Sequence, residues 1–287
     1  MSMVLEAQPQ AAQAFTLRPL SPLLAAEIIG LDLRQPLARA TRDAVYAAFV
    51  RYHVLCFRDQ ALNKDQQIAF TQQFGTLERH IASNRGTDNP WVHTVSNLNA
   101  EGLPSGKVGS QAWHSDKSFR PEPSLATILH AMTLPPDGGD TCFDDMTAAY
   151  DALDADEQTE LDGVRVIHSW ELSRQKNGQR ATPEEIRDAP PMSHPLVRVH
   201  PDSGRKCLFM GEHASHFDGR PMAEGRARLA ALQTHATQEQ FVYRHHWRPG
   251  DMLMWDNRCL LHRADANFDA ARYPRVLHRT CLRGTAP

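Results

Sequence analysis

The residues Trp113-His114-Ser115-Asp116 decide how the rest of the chain is interpreted. On a β-strand, side chains two residues apart point out of the same face, so the imidazole of His114 and the carboxylate of Asp116 would lie close enough to hold one metal ion. One further histidine would complete a three-ligand face. Two histidines and one carboxylate leave adjacent coordination positions open, as non-haem Fe(II) oxygenases require.

The candidate third ligand is His262, which follows the strand-like run at residues 251–261. Spacing alone is weak evidence, because 15 histidines and 34 acidic residues in 287 make chance His-X-acid matches expected. Two other His-X-Asp triplets begin at His200 and His216, and both run into turn signals. On residue types alone, a surface His114 and Asp116 beside a buried tryptophan remains an open alternative.

Composition narrows the class of protein. A chain of 287 residues can form one large β-barrel-type domain or two ordinary domains. Its 41% hydrophobic and 23% charged residues are typical of a soluble globular protein. A net charge of −3 argues against a nucleic-acid partner, and no apolar run reaches the roughly 18 residues of a membrane span. We therefore expect a small-molecule partner, with neither nucleic acid nor membrane involved.

The N-terminus and the cysteines indicate the compartment. Residues 1–14 are rich in Ala and Gln and lack the basic and apolar regions of a signal peptide, so they predict a disordered tail. The cysteines are odd in number and form no Cys-X-X-Cys pair: Cys56, Cys142, Cys207, Cys259 and Cys281. This pattern favours buried free thiols over disulfides, and hence a cytoplasmic protein.

The order of elements predicts a mainly β fold with flanking helices. Thr41 and Asn63 are placed to cap early helices at residues 42–52 and 64–74. Residues 125–132 and 140–143 predict a hairpin, and the chain after residue 196 is mostly strand. Eight or so strands with many turns fit a double-stranded β-helix, or jelly roll. We expect one domain over residues 15–287, with a lid loop at about 78–110 and an insertion at about 174–191.

Several blocks in fixed order resemble one family along residues 17–283, the taurine/2,4-dichlorophenoxyacetate dioxygenases that depend on Fe(II) and 2-oxoglutarate. Beside residues 113–116, these blocks are Pro136-Asp-Gly-Gly-Asp-Thr141, Ala148-Ala-Tyr-Asp-Ala-Leu153, Gly250-Asp251, Trp255-Asp-Asn-Arg-Cys-Leu-Leu-His-Arg263 and Arg275-Val-Leu-His-Arg279. Residues 211–216 and 241–245 resemble the 2,4-dichlorophenoxyacetate branch most closely.

The resemblance implies a role for each site residue. His114, Asp116 and His262 would hold Fe(II), while 2-oxoglutarate and O2 would occupy the open positions. Arg275 and Thr141 would bind the distal carboxylate of 2-oxoglutarate, for which the planar fork of an arginine is well suited. The interval from His262 to Arg275 is longer than the family pattern, so Arg272 is an alternative.

The substrate contacts implied by the resemblance come from Arg279, His80 and Asn97. Because Arg275 and Arg279 lie four residues apart on one strand, they project to the same side, and Arg279 would face an anionic substrate. Surface arginines on a strand are the other interpretation. Asp256 and Asn257 are candidates to orient His262.

The predicted function is hydroxylation of an aryloxyalkanoate such as 2,4-dichlorophenoxyacetate next to its ether oxygen. The products would be a phenol, an oxo acid, succinate and CO2. An alkylsulfonate (taurine-type) dioxygenase is the alternative enzyme, and a jelly roll that only binds a small molecule is the non-enzyme alternative. The family also suggests a homodimer or homotetramer.

Overall fold

The computed structural model describes residues 14–79, 89–176 and 178–287. Its strands are β1 Thr16–Pro19, β2 Ala26–Ile29, β3 Val54–Phe57, β4 His93–Ser96, β5 Ser124–Thr133, β6 Thr141–Asp145, β7 Arg165–His168, β8 Met192–Pro195, β9 Val197–Val199, β10 Lys206–Leu208, β11 Ala214–Phe217, β12 Val242–His245, β13 Met252–Asp256, β14 Leu260–Ala264 and β15 Val276–Arg283. Its helices are α1 Arg39–Tyr52, α2 Lys64–Gln72, α3 Met146–Asp151, α4 Ala155–Leu161, α5 Trp170–Lys176, α6 Pro183–Asp188 and α7 Met222–Ala236, with a short 3₁₀ turn at Glu239–Phe241.

A major and a minor sheet form the framework. The major sheet has seven strands in the order β1-β2-β3-β13-β5-β15-β4, antiparallel except for the β2/β3 pair. The minor sheet has the order β12-β6-β14, and two smaller sheets are formed by β11-β7-β8 and by β9-β10. This is the predicted mainly β architecture with flanking helices.

Strand β13 shows how the sequence builds the core on both faces of the major sheet. Leu253 and Trp255 belong to one apolar cluster with Phe143 of the minor sheet. Met252 and Met254 belong to a second cluster, which includes Phe49 of α1 and Phe70 of α2. The alternation follows the period of two of a strand. Each fully buried large side chain contributes about 1.5–3 kcal/mol, so both faces stabilise the sheet.

The two early helices show which start signals are reliable. Asn63 caps α2 as predicted, because its side chain accepts from the backbone N–H of Gln66 while the Gln66 side chain accepts from the N–H of Asn63. The predicted cap at Thr41 is wrong. Helix α1 begins at Arg39 after Ala38, which makes no side-chain cap hydrogen bond, and Thr41 lies inside the helix.

The predicted hairpin at residues 125–132 and 140–143 is also wrong. Strand β5 lies in the major sheet and β6 in the minor sheet, so their connection crosses between sheets. Gly138 and Gly139 both have φ of 71°, and a Cβ on Gly138 would lie 2.2 Å from the Asn267 carbonyl oxygen. The turn therefore needs glycine, but its glycines do not reveal that it changes sheets. By contrast, the predicted pairing of residues 196–200 with 206–210 is confirmed as the β9/β10 hairpin.

Other predicted segments are described only in part. The tail lies almost entirely outside the described residues, as do residues 80–88 of the predicted lid. The predicted insertion contains the end of α5 and helix α6, which Thr182 caps. The five cysteines are free and buried, as expected. Within the described ranges, no helix combines the length and apolar character needed to cross a bilayer.

Candidate active site

His114 lies directly opposite His262 of β14, where the segment that contains His114 forms an isolated β-bridge with this strand. The N–H of His114 donates to the carbonyl of His262 at 3.1 Å, and the reverse bond measures 2.8 Å. Directly opposed residues of an antiparallel pair present their side chains on one face. The two imidazole centroids are 4.2 Å apart, so the fold brings together the two predicted histidines.

Asp116 joins them through a turn rather than a strand. The strand geometry considered for residues 113–116 does not apply, because His114 forms an isolated bridge, Asp116 begins a turn, and Lys117 has φ of 55°. The carboxylate still lies on the histidine side. Its Oδ1 is 4.0 Å from His114 Nε2, and its Oδ2 is 3.8 Å from His262 Nε2.

The local electrostatics set the protonation states of Asp116 and His262. Burial opposes ionisation of Asp116, but Arg279 and the two imidazoles outweigh it and hold the pKa of the carboxyl well below its usual range. Burial, reinforced by the His114 imidazole, lowers the pKa of His262 to about 3. At neutral pH the site therefore offers a carboxylate and a neutral His262 imidazole.

Hydrogen bonding and packing set the orientation of the imidazoles. His114 Nδ1 lies 2.9 Å from the Ala112 carbonyl oxygen, which leaves Nε2 facing Asp116. His262 Nδ1 is buried and has no hydrogen-bond partner in the described part of the chain. Its ring packs against Trp255, at 4.7 Å between centroids, and against Phe143 at 6.3 Å. The expectation that Asp256 or Asn257 bonds to His262 is therefore wrong, and aromatic packing orients this ring.

Two nitrogen atoms and one carboxylate oxygen of this site lie within 4.8 Å of one another. Such a donor set fits Fe(II). The described residues contain two other sets of this kind, Cys56–His245–Asp251 and His53–Asp256–Cys259. Burial raises the pKa of the Cys56 and Cys259 thiols, which disfavours the thiolate forms that bind a metal. Of the three sets, only the one with His114 and His262 contributes residues to the wall of a cavity.

That cavity extends from the histidines to a buried arginine. Its wall includes Thr141 of β6 and Arg275, which precedes β15. Arg275 Nη2 lies 3.3 Å from the Thr141 hydroxyl, and its Nε donates to the Gly139 carbonyl at 2.8 Å. Burial lowers the pKa of Arg275 to about 10. A guanidinium held by neutral acceptors inside a cavity is suited to bind a carboxylate.

Asn97 holds the backbone of Arg275 in place. Its Oδ1 accepts from the Arg275 backbone N–H at 2.7 Å, and its Nδ2 donates to the carbonyls of Ala270 and Tyr273, both at 2.9 Å. These bonds engage both ends of the amide. The substrate contact expected of Asn97 stays a prediction, whereas its contact with the Arg275 backbone is part of the structure.

The remaining predicted site residues differ in position. Arg279 lies on the cavity wall with one guanidinium nitrogen 3.3 Å from Asp116 Oδ1. Arg272, the alternative to Arg275, is exposed and lies over the Tyr273 ring at 5.0 Å. His80 lies outside the described residues, so its predicted substrate contact stays untested.

Sequence reasoning missed an indole donor and an aromatic cluster. Trp247 Nε1 donates to the Thr141 hydroxyl at 3.0 Å. The Glu212 N–H donates to the Trp113 carbonyl, and the following His213 lies close enough to His114 for the two imidazoles to interact electrostatically. Phe119 and Trp170 pack against the His213 ring at 4.8 and 5.8 Å between centroids. The rings come from separate segments, and the only signal for them was the family-like stretch at residues 211–216.

Comparison with known proteins agrees with this geometry. Residues 16–281 match the family model described as taurine catabolism dioxygenase TauD, TfdA family. The chain belongs to this family. It is therefore an α-ketoglutarate-dependent dioxygenase, an oxidoreductase, and its cofactor and co-substrates are Fe(II), 2-oxoglutarate and O2, as predicted.

Two curated family members show how close the relationship is. The α-ketoglutarate-dependent 2,4-dichlorophenoxyacetate dioxygenase of Cupriavidus pinatubonensis is 45% identical over 258 residues, which cover 85% of this chain and 90% of the relative. The (S)-phenoxypropionate/α-ketoglutarate-dioxygenase of Sphingobium herbicidovorans is 36% identical, covering 88% and 89%.

A solved family member confirms the jelly-roll fold. AAD-2, crystallised with Mn(II) and N-oxalylglycine, superposes with a TM-score of 0.82 at 38% identity and covers 95% of this chain and 98% of its own. Its two ligands are mimics of Fe(II) and 2-oxoglutarate.

Proposed function

We propose that this dioxygenase hydroxylates an aryloxyalkanoate, such as 2,4-dichlorophenoxyacetate, on the carbon next to the ether oxygen. His114, Asp116 and His262 hold Fe(II), which activates O2 when bound. The single observation that carries the proposal is the convergence of these three side chains beside a cavity walled by Arg275 and Arg279.

The protein's own residues position both organic acids. Arg275 and Thr141 bind the distal carboxylate of 2-oxoglutarate through charge-assisted and neutral hydrogen bonds, and the Trp247 N–H fixes the Thr141 hydroxyl. Arg279 pairs with the carboxylate of the substrate. This division leaves the oxidised carbon of the substrate near the metal and keeps water from the buried site.

The cavity lining favours an aryl substrate over taurine. The rings of Trp255 and Phe268 line the cavity together with His114 and His262, and a substrate ring can pack edge-to-face or offset against them. The names of the relatives that act on 2,4-dichlorophenoxyacetate and (S)-phenoxypropionate support the same class. Hydroxylation beside the ether oxygen gives a hemiacetal, which collapses to a phenol and an oxo acid, while 2-oxoglutarate becomes succinate and CO2.

Succinate formation with each candidate acid tests the proposal. Fe(II)-loaded protein should turn over 2,4-dichlorophenoxyacetate with release of 2,4-dichlorophenol, and should use taurine poorly. Equal turnover of taurine would favour the alkylsulfonate alternative. His114→Ala should abolish both Fe(II) binding and phenol release, and retention of both would refute the ligand assignment.

The proposal extends to the setting of the enzyme. We infer one dioxygenase domain over residues 15–287, with residues 78–110 and 174–191 as its lid and insertion. The five buried free thiols support a cytoplasmic location. A homodimer or homotetramer follows from the family resemblance, and light scattering of the purified protein tests it.

A further inference from the structure

Asp116 receives a hydrogen bond from a side chain that the sequence did not single out. Thr127, on β5, donates its hydroxyl to Asp116 Oδ2 at 2.5 Å. This distance is typical of a charge-assisted O–H···O⁻ bond. Thr127 is fully buried, as is the Asn257 side chain beside it. A buried side chain of the major sheet therefore holds the carboxylate that the proposed function assigns to the metal.

Asn257 fixes the direction of that hydrogen bond. Its Oδ1 accepts from the Asp116 backbone N–H at 3.3 Å and from Trp255 Nε1 at 3.1 Å. Because this oxygen faces two donors, the other end of the amide must be the nitrogen, and it donates to the Thr127 hydroxyl at 3.0 Å. A threonine hydroxyl has one proton to give, so with Asn257 as its donor the proton is directed to Asp116.

Asn257 also ties down the segment that carries the ligands. Its backbone carbonyl accepts from the Ser115 hydroxyl at 2.7 Å. Ser115 lies between His114 and Asp116, so this bond ties the segment of both ligands to the turn between β13 and β14. That turn leads directly to His262, so one asparagine connects the turn bearing Asp116 with the strand bearing the third ligand.

We infer that Thr127, oriented by Asn257, is a positioning residue that sets the rotation of the Asp116 carboxylate for metal binding. The inference rests on the proposed metal site. The Cys281 sulfur, 3.7 Å away, is the other possible partner of the Thr127 hydroxyl. It competes weakly because the proton prefers the ionised carboxylate. Without the hydroxyl, the carboxylate can rotate and lose one acceptor bond, and metal affinity falls.

Mn(II) binding by Thr127 variants tests the inference, with free Mn(II) measured by electron paramagnetic resonance. Thr127→Val keeps the shape but removes the hydroxyl, and we expect its Kd for Mn(II) to rise about 10–100-fold. Thr127→Ser should restore binding close to wild type. Thr127→Ala reports the same loss if valine disturbs the packing.

Thr280→Val is the matched control. Thr280 is buried in the adjacent strand β15, but its hydroxyl lies 2.7 Å from that of Thr71 in α2, on the opposite face of the sheet. This variant also removes a buried hydroxyl and should lower the thermal midpoint, but it should leave the Kd unchanged. Equal Kd values for wild type and Thr127→Val, with His114→Ala unable to bind, would overturn this inference alone. Mn(II) binding by His114→Ala equal to that of wild type would instead overturn the proposed metal site.

Discussion

Replacing Arg275 with glutamine should separate co-substrate binding from folding stability. The Arg275 guanidinium is buried, and its acceptors, the Gly139 carbonyl and the Thr141 hydroxyl, are neutral. Within the described residues no carboxylate lies within ion-pair distance of it, and the attraction of Asp140 is outweighed by the cost of burial. Burying a cation without a hydrogen-bonded carboxylate costs stability, so the variant should unfold at the same temperature as wild type or slightly above it.

Binding of 2-oxoglutarate should change in the opposite direction. The variant loses at least one hydrogen bond to a charged group, worth about 1.5–3 kcal/mol. Because about 1.4 kcal/mol corresponds to a tenfold change, the Kd should rise about 10–100-fold. Calorimetric titration of N-oxalylglycine into Mn(II)-loaded protein measures this change without turnover.

Arg272→Gln is the control for this experiment. Arg272 is exposed and lies over Tyr273, so its loss should leave the affinity unchanged. If Arg272→Gln weakened binding while Arg275→Gln did not, the assignment of the co-substrate anchor would be refuted. A lower thermal midpoint for Arg275→Gln would contradict the account of its buried charge.

Two further substitutions test buried polar groups. Asn97→Ala leaves the Arg275 N–H and the Tyr273 carbonyl without their partner, while the Ala270 carbonyl keeps the Gly106 N–H, so urea unfolding should show a loss of at least about 2 kcal/mol, and N-oxalylglycine should bind more weakly. An unchanged midpoint would contradict this. Burial, with Asp145 nearby, raises the pKa of Asp144 from its usual 3.8 to about 9. Stability from its proton is therefore present below pH 4 and lost as the pH rises towards 9, by at most about 1.4 kcal/mol per pH unit. Asp144→Asn should stabilise the protein at pH 8 but not at pH 4, and equal effects at both would refute the buried acid.

The residues closest to the chemistry could be named from sequence because chemistry restricts them strongly. Few residue types can hold iron or grip a carboxylate, and His114, Asp116, His262, Thr141 and Arg275 stand in blocks whose order resembles a known family. The structure brings these five side chains to one cavity region. It does so through an isolated β-bridge between His114 and His262 and a turn at Asp116, and not through the strand geometry considered from the sequence.

The supporting residues could not be named in this way. Thr127 lies in an apolar strand, where threonine is an ordinary strand former, and nothing nearby in sequence indicates a bond to Asp116. Asn97 was assigned to the substrate, but the structure engages its amide with the Arg275 backbone. The glycines at residues 138–139 predict a turn equally well for a hairpin or for a crossing between sheets. Such roles depend on partners brought together only by folding.

Anomalous X-ray diffraction from crystals grown with Mn(II) and 2-oxoglutarate tests the central claim most directly. The account predicts a strong peak bonded to Nε2 of His114, Nε2 of His262 and one carboxylate oxygen of Asp116, with the distal carboxylate of 2-oxoglutarate against Arg275. A peak at Cys56–His245–Asp251 or His53–Asp256–Cys259, with none at the predicted site, would contradict it.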